Sequence, residues 1–228
     1  MALKKRPSAP GIKKPRAIYL RQKPPAQSDT ADRIVSAATR LFADKGYDGT
    51  SVKDISDAAG VNIAAVNYHF VSKDNLCRHI IEQFGTERLD LARRTLQTPR
   101  NADDFRVRLE IFLRQTLEAM LRQTDIVRLI QQELDKSESR CSDVFRNTFQ
   151  KHAQTLVEFF DHARKDGIVA ADVDPFFAAS TVMSNIVHQT RSDRILRKFS
   201  GRSLSDEKYR NRWIQQTLRI FTDGIIAK

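Results

Sequence analysis

Long hydrophobic runs are absent from this 228-residue sequence, and none approaches the roughly 18 residues that a helical membrane span requires. Cysteine is scarce. The two cysteines, Cys77 and Cys141, form no spaced pattern, and the basic N-terminus is followed by no apolar stretch of signal-peptide type. A disulfide scaffold and secretion are therefore not expected, and the protein is read as cytoplasmic. β-branched alternation bounded by turn dipeptides is also missing, so no sheet is expected. Catalytic signatures are lacking as well: there is no Gly-x-Ser-x-Gly, no phosphate-cradling glycine loop and no metal-ligand repeat. Cys77-x-His79 has no further ligands at a recognisable spacing, and His152 and His162 fall on different sides of one helical pattern. Neither an enzyme nor a metal or cofactor site is expected.

Acidic residues are absent from the first 28 positions, where eight basic side chains stand: Lys4, Lys5, Arg6, Lys13, Lys14, Arg16, Arg21 and Lys23. These account for most of the net charge of +11 and leave only +3 for the rest of the chain. From Asp29 to Val71 the balance is slightly negative. Net charge thus describes a basic tail and does not locate a DNA-binding domain. Residues 1–27 also hold five of the seven prolines and too little apolar periodicity to offset the entropy of ordering, so a disordered tail is expected. It serves either as a DNA-contacting arm or as a solvated extension.

What is present after the tail is helical periodicity almost to the end. Ile34, Ala37, Ala38, Leu41 and Phe42 share one face of a first helix, with Asp29 or Thr30 as its N-cap and Gly46 as the residue that ends it. Further helices are predicted near 73–96, 103–122, 125–134, 138–166, 175–191 and 206–226, with Pro175 suited to a first turn. The fold class is all-α.

Between Thr50 and Phe70 the spacing is more constrained. Ser51 can cap a short helix in which Val52, Ile55 and Ala59 form an apolar face and Asp54 favours the positive end. Gly60 then supplies a left-handed turn into a second helix, about 63–69. Small Ser56 and Ala59 allow close approach, and Val61 and Val66 fill the corner. The second helix presents Asn62, Ala64, Ala65, Asn67 and Tyr68 outward, short side chains that let a helix sit deep in the major groove, with asparagines able to bond adenine edges. Asn62 reads equally as an N-cap, and Asn67 as a solvated residue. Ser72 caps the next helix, whose first turn carries Lys73. A cation is unfavourable there without an anion, which phosphate would supply. Tyr68, His69 and Thr50 offer further polar heads on the same edge.

The run from Arg33 to Leu76 resembles the N-terminal domain of the TetR family of tetracycline-repressor-like regulators. The residues that carry the likeness are Ala38-x-x-Leu41-Phe42 through Gly46-Tyr47, Thr50-Ser51, Ala59-Gly60-Val61, Tyr68-His69-Phe70 and Ser72-Lys73. Ser56 departs from the usual alanine, and Val71 from a common glycine. The resemblance implies that the third helix reads double-stranded DNA at a palindromic operator. It further implies phosphate contacts by Thr50, Tyr68, His69 and Lys73.

Beyond the tail at 1–27, the same resemblance implies two parts: a helix-turn-helix domain at 28–74 and a helical effector-binding and dimerisation domain at 75–228. Helices near 175–191 and 206–226 are apolar around most of their circumference, Trp213 and Phe221 included, and are expected to form a homodimer interface. An effector cavity is expected among the helices of 103–166, with Phe112, Met120, Phe145, Phe149 and His152 as walls and Gln131 and Glu133 as polar anchors; each also reads as ordinary core. Arg106, Arg108, Arg114, Arg122 and Arg128 could favour an anionic effector but read more simply as a solvated face. The expected function is a sequence-specific transcriptional regulator, a repressor released by a small-molecule effector. The alternative is a low-specificity, nucleoid-type nucleic-acid-binding protein that uses the basic tail.

Overall fold

Helices dominate a computed structural model of the chain, in which residues 25–226 are described, with side chains from Asp29 onward. The first helix, α1, runs Pro25–Lys45 and buries Ile34, Ala37, Ala38 and Phe42 along one face. It begins a turn earlier than its sequence suggests, so Asp29 and Thr30 lie inside the helix and neither is its N-cap. Pro25 suits a first turn because its missing amide would have no partner there. Residues 25–27 therefore belong to α1, while the rest of the expected tail, 1–24, lies outside the described residues. At the other end Gly46, at φ 74°, closes the helix.

Two short helices follow, α2 at Val52–Ala59 and α3 at Ile63–Phe70, and then the long α4 at Lys73–Thr95. The body comprises α5 at Ala102–Arg122, α6 at Thr124–Leu134, α7 at Ser142–Phe145, α8 at Lys151–Lys165, α9 at Pro175–Ser200 and α10 at Glu207–Ile225. A π-helical turn, Arg146–Gln150, joins α7 to α8. The expected helix over 138–166 is thus a later start at Ser142 with a π turn inside it. Gly85 of α4 faces that turn: a Cβ there would stand 2.5 Å from the Thr148 hydroxyl and 2.8 Å from the Phe149 ring. α9 outruns its expected end at 191 by two turns and stops at Gly201, φ 67°. At its start, Asp174 caps the amides of Phe176 and Phe177 beside Pro175. Among the described residues the β component is one isolated bridge, Val169 to Ile226.

Two apolar cores form, and α4 contributes to both. Ile34, Phe42, Ile55, Val66 and Phe70 from α1–α3 pack with Leu76, Ile80, Ile81 and Phe84 of α4, and also with Leu129 and Ile130 of α6 and Val144 of α7. The core of the head therefore continues past residue 74 into the body. The second core joins α5, α8, α9 and α10 through Phe105, Leu113, Phe159, Phe160, Val182 and Ile214, with Ala92 of α4 at its edge. Cys77 and Cys141, which no spacing in the sequence relates, are both fully buried in the first core.

Candidate functional site

The angle between α2 and α3 is set by a small number of backbone bonds. Ser51 and Asp54 form a reciprocal capping box: the Asp54 amide donates to Ser51 Oγ at 3.0 Å, and the Ser51 amide donates to Asp54 Oδ2 at 2.9 Å. Bonds from the Ser51 hydroxyl and amide hold the Asp54 carboxyl below its usual range. Gly60 lies at φ 63°, ψ 40°, the left-handed region where a Cβ is costly, and the Val61 amide returns to the Ser56 carbonyl at 3.0 Å. Arg33, reaching from α1, donates to the Ala59 carbonyl from Nε (3.0 Å) and to the Gly60 carbonyl from Nη2 (2.8 Å). Orphan carbonyls at the end of α2 are thereby satisfied.

On α3, Val66 and Phe70 turn inward, while Ala64, Asn67 and Tyr68 face outward, the last 75% exposed. Ala65 and His69 are half-buried. Asn62 Oδ1 accepts the Ala65 amide at 2.8 Å, so of its two readings the structure shows the N-cap. Ser51 is exposed, with its hydroxyl engaged in the capping box.

Thr50 and Lys73 depart from expectation. The Thr50 side chain is turned inward and 1% exposed, its hydroxyl donating to the Gly46 carbonyl at 2.8 Å; it caps the α1–α2 loop and presents no group to a phosphate. Lys73 does have oxygen partners at the start of α4, but they are protein carbonyls: Nζ donates to Thr50 at 2.8 Å and to Tyr47 at 3.0 Å. The same ammonium lies 4.0 Å from the centre of the Tyr47 ring. Its dipole penalty is met within the fold.

Tyr47 is the centre of a polar joint between head and body that the spacing of motifs did not reveal. The Arg140 guanidinium lies 3.3 Å from the centre of its ring and reaches Asp48, Asp74 and Glu133 at 3.6–3.8 Å. The Tyr47 hydroxyl donates to Asp74 at 2.5 Å, and burial together with that carboxylate pushes the phenol well up. Glu133 is fully buried in this joint, with Lys136 at 2.6 Å and the Ser139 hydroxyl at 3.1 Å. Nearby, Arg78 donates to both carboxylate oxygens of Asp143, whose pKa those bonds lower to about 2.

A cavity of about 160 Å³ opens between α4, α5, α6, α8 and α9. Of the expected wall residues, Met120, Gln131, Phe149 and His152 line it. Phe112 and Phe145 do not: the first stacks behind His152 at 5.6 Å, and the second packs edge-on behind Phe149 at 5.4 Å. Glu133 points into the polar joint and is no anchor for the cavity. Phe84 and Arg88 on α4 and Met183 and Val187 on α9 also line it, from helices outside the 103–166 range expected to hold the cavity. Gly85, beside Phe84, was the available signal, because glycine inside a helix marks a close approach. The lining is almost wholly apolar. Arg88 is its cation, with a buried Nε that has no hydrogen-bond partner; burial, and then the charge of Arg88, lowers the His152 pKa to about 4, so the imidazole is neutral near pH 7.

Comparison with known proteins bears on both parts. Residues 34–80 match the family described as bacterial regulatory proteins, tetR family. Over 55 residues the chain is 42% identical to the protein named probable HTH-type transcriptional regulator YttP of Bacillus subtilis, a stretch covering 24% of this chain and 27% of that protein. The curated relatives are thus matched over about a third of their length or less. Two solved structures extend the likeness of fold to the body. The ketosteroid transcriptional regulator KstR2 of Mycobacterium tuberculosis superposes with TM-score 0.68 at 21% identity, over 87% of this chain and 95% of that one. The transcriptional regulator FadR of Bacillus subtilis, solved with stearoyl-CoA, superposes with TM-score 0.67 at 14% identity, over 85% and 98%. The helix-turn-helix is thus similar in sequence to the tetR family of bacterial regulatory proteins over residues 34–80, and the all-α body is similar in fold to these two solved regulators.

Proposed function

We propose that the protein is a sequence-specific DNA-binding transcriptional regulator, a cytoplasmic repressor that leaves its operator when a small molecule fills the cavity of the body. The observation that carries this reading is the outward face of α3. Its caps, turn and inward side chains are all engaged in holding the helix, while Ala64, Asn67 and Tyr68 project into solvent at its surface. Such a face suits the major groove, with Asn67 reading base edges and Tyr68, His69 and Ser51 near the phosphates.

A homodimer is part of the proposal. Phe176, Phe177, Ile195 and Phe199 on α9 and Ile220 on α10 are large apolar side chains exposed in the single chain, a pattern that suits burial against a second copy. A two-fold dimer would set its α3 helices one DNA turn, about 34–36 Å, or a multiple apart on a palindromic site.

The release mechanism follows from α6, which has one face in the cavity, through Val127, Ile130 and Gln131, and another against the head. Gln132 donates to the Ala43 carbonyl of α1 at 3.3 Å, Arg128 pairs with Asp44 at 3.1 Å, and Glu133 enters the Tyr47 joint through Arg140. A ligand that displaces α6 therefore displaces α1 and the α3 it supports. A preference of a few kcal/mol for the displaced state is enough to release DNA.

The test is selection of bound genomic fragments by the purified protein, followed by gel-shift titration of the recovered sequence against bulk DNA. A recurring palindrome bound at least a hundredfold more tightly than bulk DNA is expected. Equal binding of all sequences with a steep salt dependence would overturn the reading in favour of a low-specificity nucleic-acid binder.

A further inference from the structure

A second hollow, of about 390 Å³, adjoins the apolar cavity and shares Met120, Val127 and Gln131 with it as walls. Its character is the opposite. Arg128 of α6 and Arg191, Arg194 and Arg197 of α9 line it. The three α9 arginines recur every third residue, so that they follow one another along one side of the helix. Among the described residues no carboxylate lies within ion-pair distance of Arg191, Arg194 or Arg197, and Arg128 has only the exposed Asp44. The one acidic residue in the lining, Asp193, is already engaged: its carboxylate accepts the Ser203 hydroxyl at 2.8 Å and the Leu204 amide at 2.5 Å.

All four arginines are exposed to solvent, and four like charges around one hollow make it a positive site that favours an anion. A single carboxylate would occupy one such group. Phosphate oxygens match the planar fork of arginine and carry enough charge to engage several together. The adjoining cavity offers the reverse chemistry, with Phe84, Ile130, Phe149 and Met183 around a space that suits a hydrocarbon chain.

We infer that the effector is an amphipathic molecule with an apolar chain in the cavity and a multiply charged, phosphorylated head held by Arg128, Arg191, Arg194 and Arg197. This rests on the proposal that the cavity is the effector site. It adds the class of ligand and assigns α9 a role in reading the head group. Two sources share the chemistry, an acyl thioester of coenzyme A and a prenyl diphosphate.

Isothermal titration of the full-length protein with decanoyl-CoA, geranyl diphosphate, decanoate and free coenzyme A tests the inference. At least one phosphorylated amphiphile is expected to bind ten or more times as tightly as both decanoate and free coenzyme A, and which of the two does so identifies the source. In R194Q/R197Q that advantage is expected to fall to within about twofold, with helical circular dichroism unchanged. Decanoate binding as tightly as the phosphorylated ligands, or an advantage that survives both R194Q/R197Q and R194E/R197E, would overturn the inference. So would failure of both phosphorylated ligands to bind. Operator binding measured without ligand keeps the two readings apart. If the DNA is bound specifically and no phosphorylated amphiphile is, the ligand class is wrong and the regulator stands; if the amphiphile binds and no operator is found, the reverse holds.

Discussion

The Ser72 amide donates to the Phe70 carbonyl at 2.6 Å across a single residue, Val71, held at φ 64°, ψ −45°. This is a γ-turn of the rarer hand, strained for any L-residue and more so for a β-branched one. It also occupies the position where the sequence departs from the glycine common in such domains. Val71 is 74% exposed, so replacing it removes little packing. The strain is on the order of 1–3 kcal/mol, against about 0.5–1 kcal/mol for the extra freedom glycine brings to the unfolded chain. Val71→Gly should therefore stabilise the protein by about 1 kcal/mol in urea denaturation. A loss of stability would show that the turn is not strained.

Lys73 and Tyr68 should separate under mutation. The two carbonyl bonds of Lys73 tie the start of α4 to the α1–α2 loop, so Lys73→Ala is expected to cost about 1–2 kcal/mol of stability and to weaken DNA binding through the displaced head. Tyr68 is mostly in solvent, so Tyr68→Ala should reduce operator affinity tenfold or more while moving the unfolding midpoint by less than about 0.5 kcal/mol. Paired denaturation and gel-shift curves measure both. Full stability in Lys73→Ala would restore a direct phosphate role for that lysine.

His152 should give the protein an acid-sensitive stability. Its pKa is lowered from 6.5 to about 4 by burial and then by Arg88, so as pH falls the unfolded chain takes up the proton first. The contribution is fully present above about pH 6.5 and is lost progressively as pH falls towards 4, amounting to about 2 kcal/mol between pH 7 and pH 5. His152→Gln should flatten that part of the stability profile. An unchanged slope in the variant would mean that another group carries it.

Gly85→Ala tests the contact between α4 and the π turn. Helix propensity alone favours alanine by about 1 kcal/mol. The new Cβ would meet Thr148 and Phe149 at 2.5–2.8 Å, and Thr148 is a buried, β-branched residue whose hydroxyl is already bonded to the Val144 carbonyl at 2.7 Å. Overpacking of this kind costs about 1–3 kcal/mol, so net destabilisation is expected in thermal unfolding. A stabilised Gly85→Ala would show that the π turn relaxes freely.

The head was largely legible in the sequence because its signals are local. Ser51 with Asp54, Gly60, and Ser72 each act within three or four residues of themselves, where spacing alone constrains geometry. Boundaries that depend on distant packing were less legible: α1 starts at Pro25 instead of just after an Asp29 or Thr30 cap, and α9 continues to Ser200. The cavity was half visible, since Met120, Gln131, Phe149 and His152 do line it, while Phe84, Arg88, Met183 and Val187 arrive from helices outside the expected 103–166 range.

What the sequence determined by itself was the all-α class, the helix-turn-helix and the outward position of Asn67 and Tyr68, because capping, turn chemistry and helical period are short-range. Tertiary structure alone decided which polar groups remain available. It turned the Thr50 hydroxyl inward, gave Lys73 the Tyr47 and Thr50 carbonyls, placed Glu133 under Arg140, and brought Arg128 of α6 beside Arg191, Arg194 and Arg197 of α9. A buried polar group must find a partner wherever the fold supplies one, and that partner can be remote in sequence: Lys73 and Thr50 are 23 residues apart.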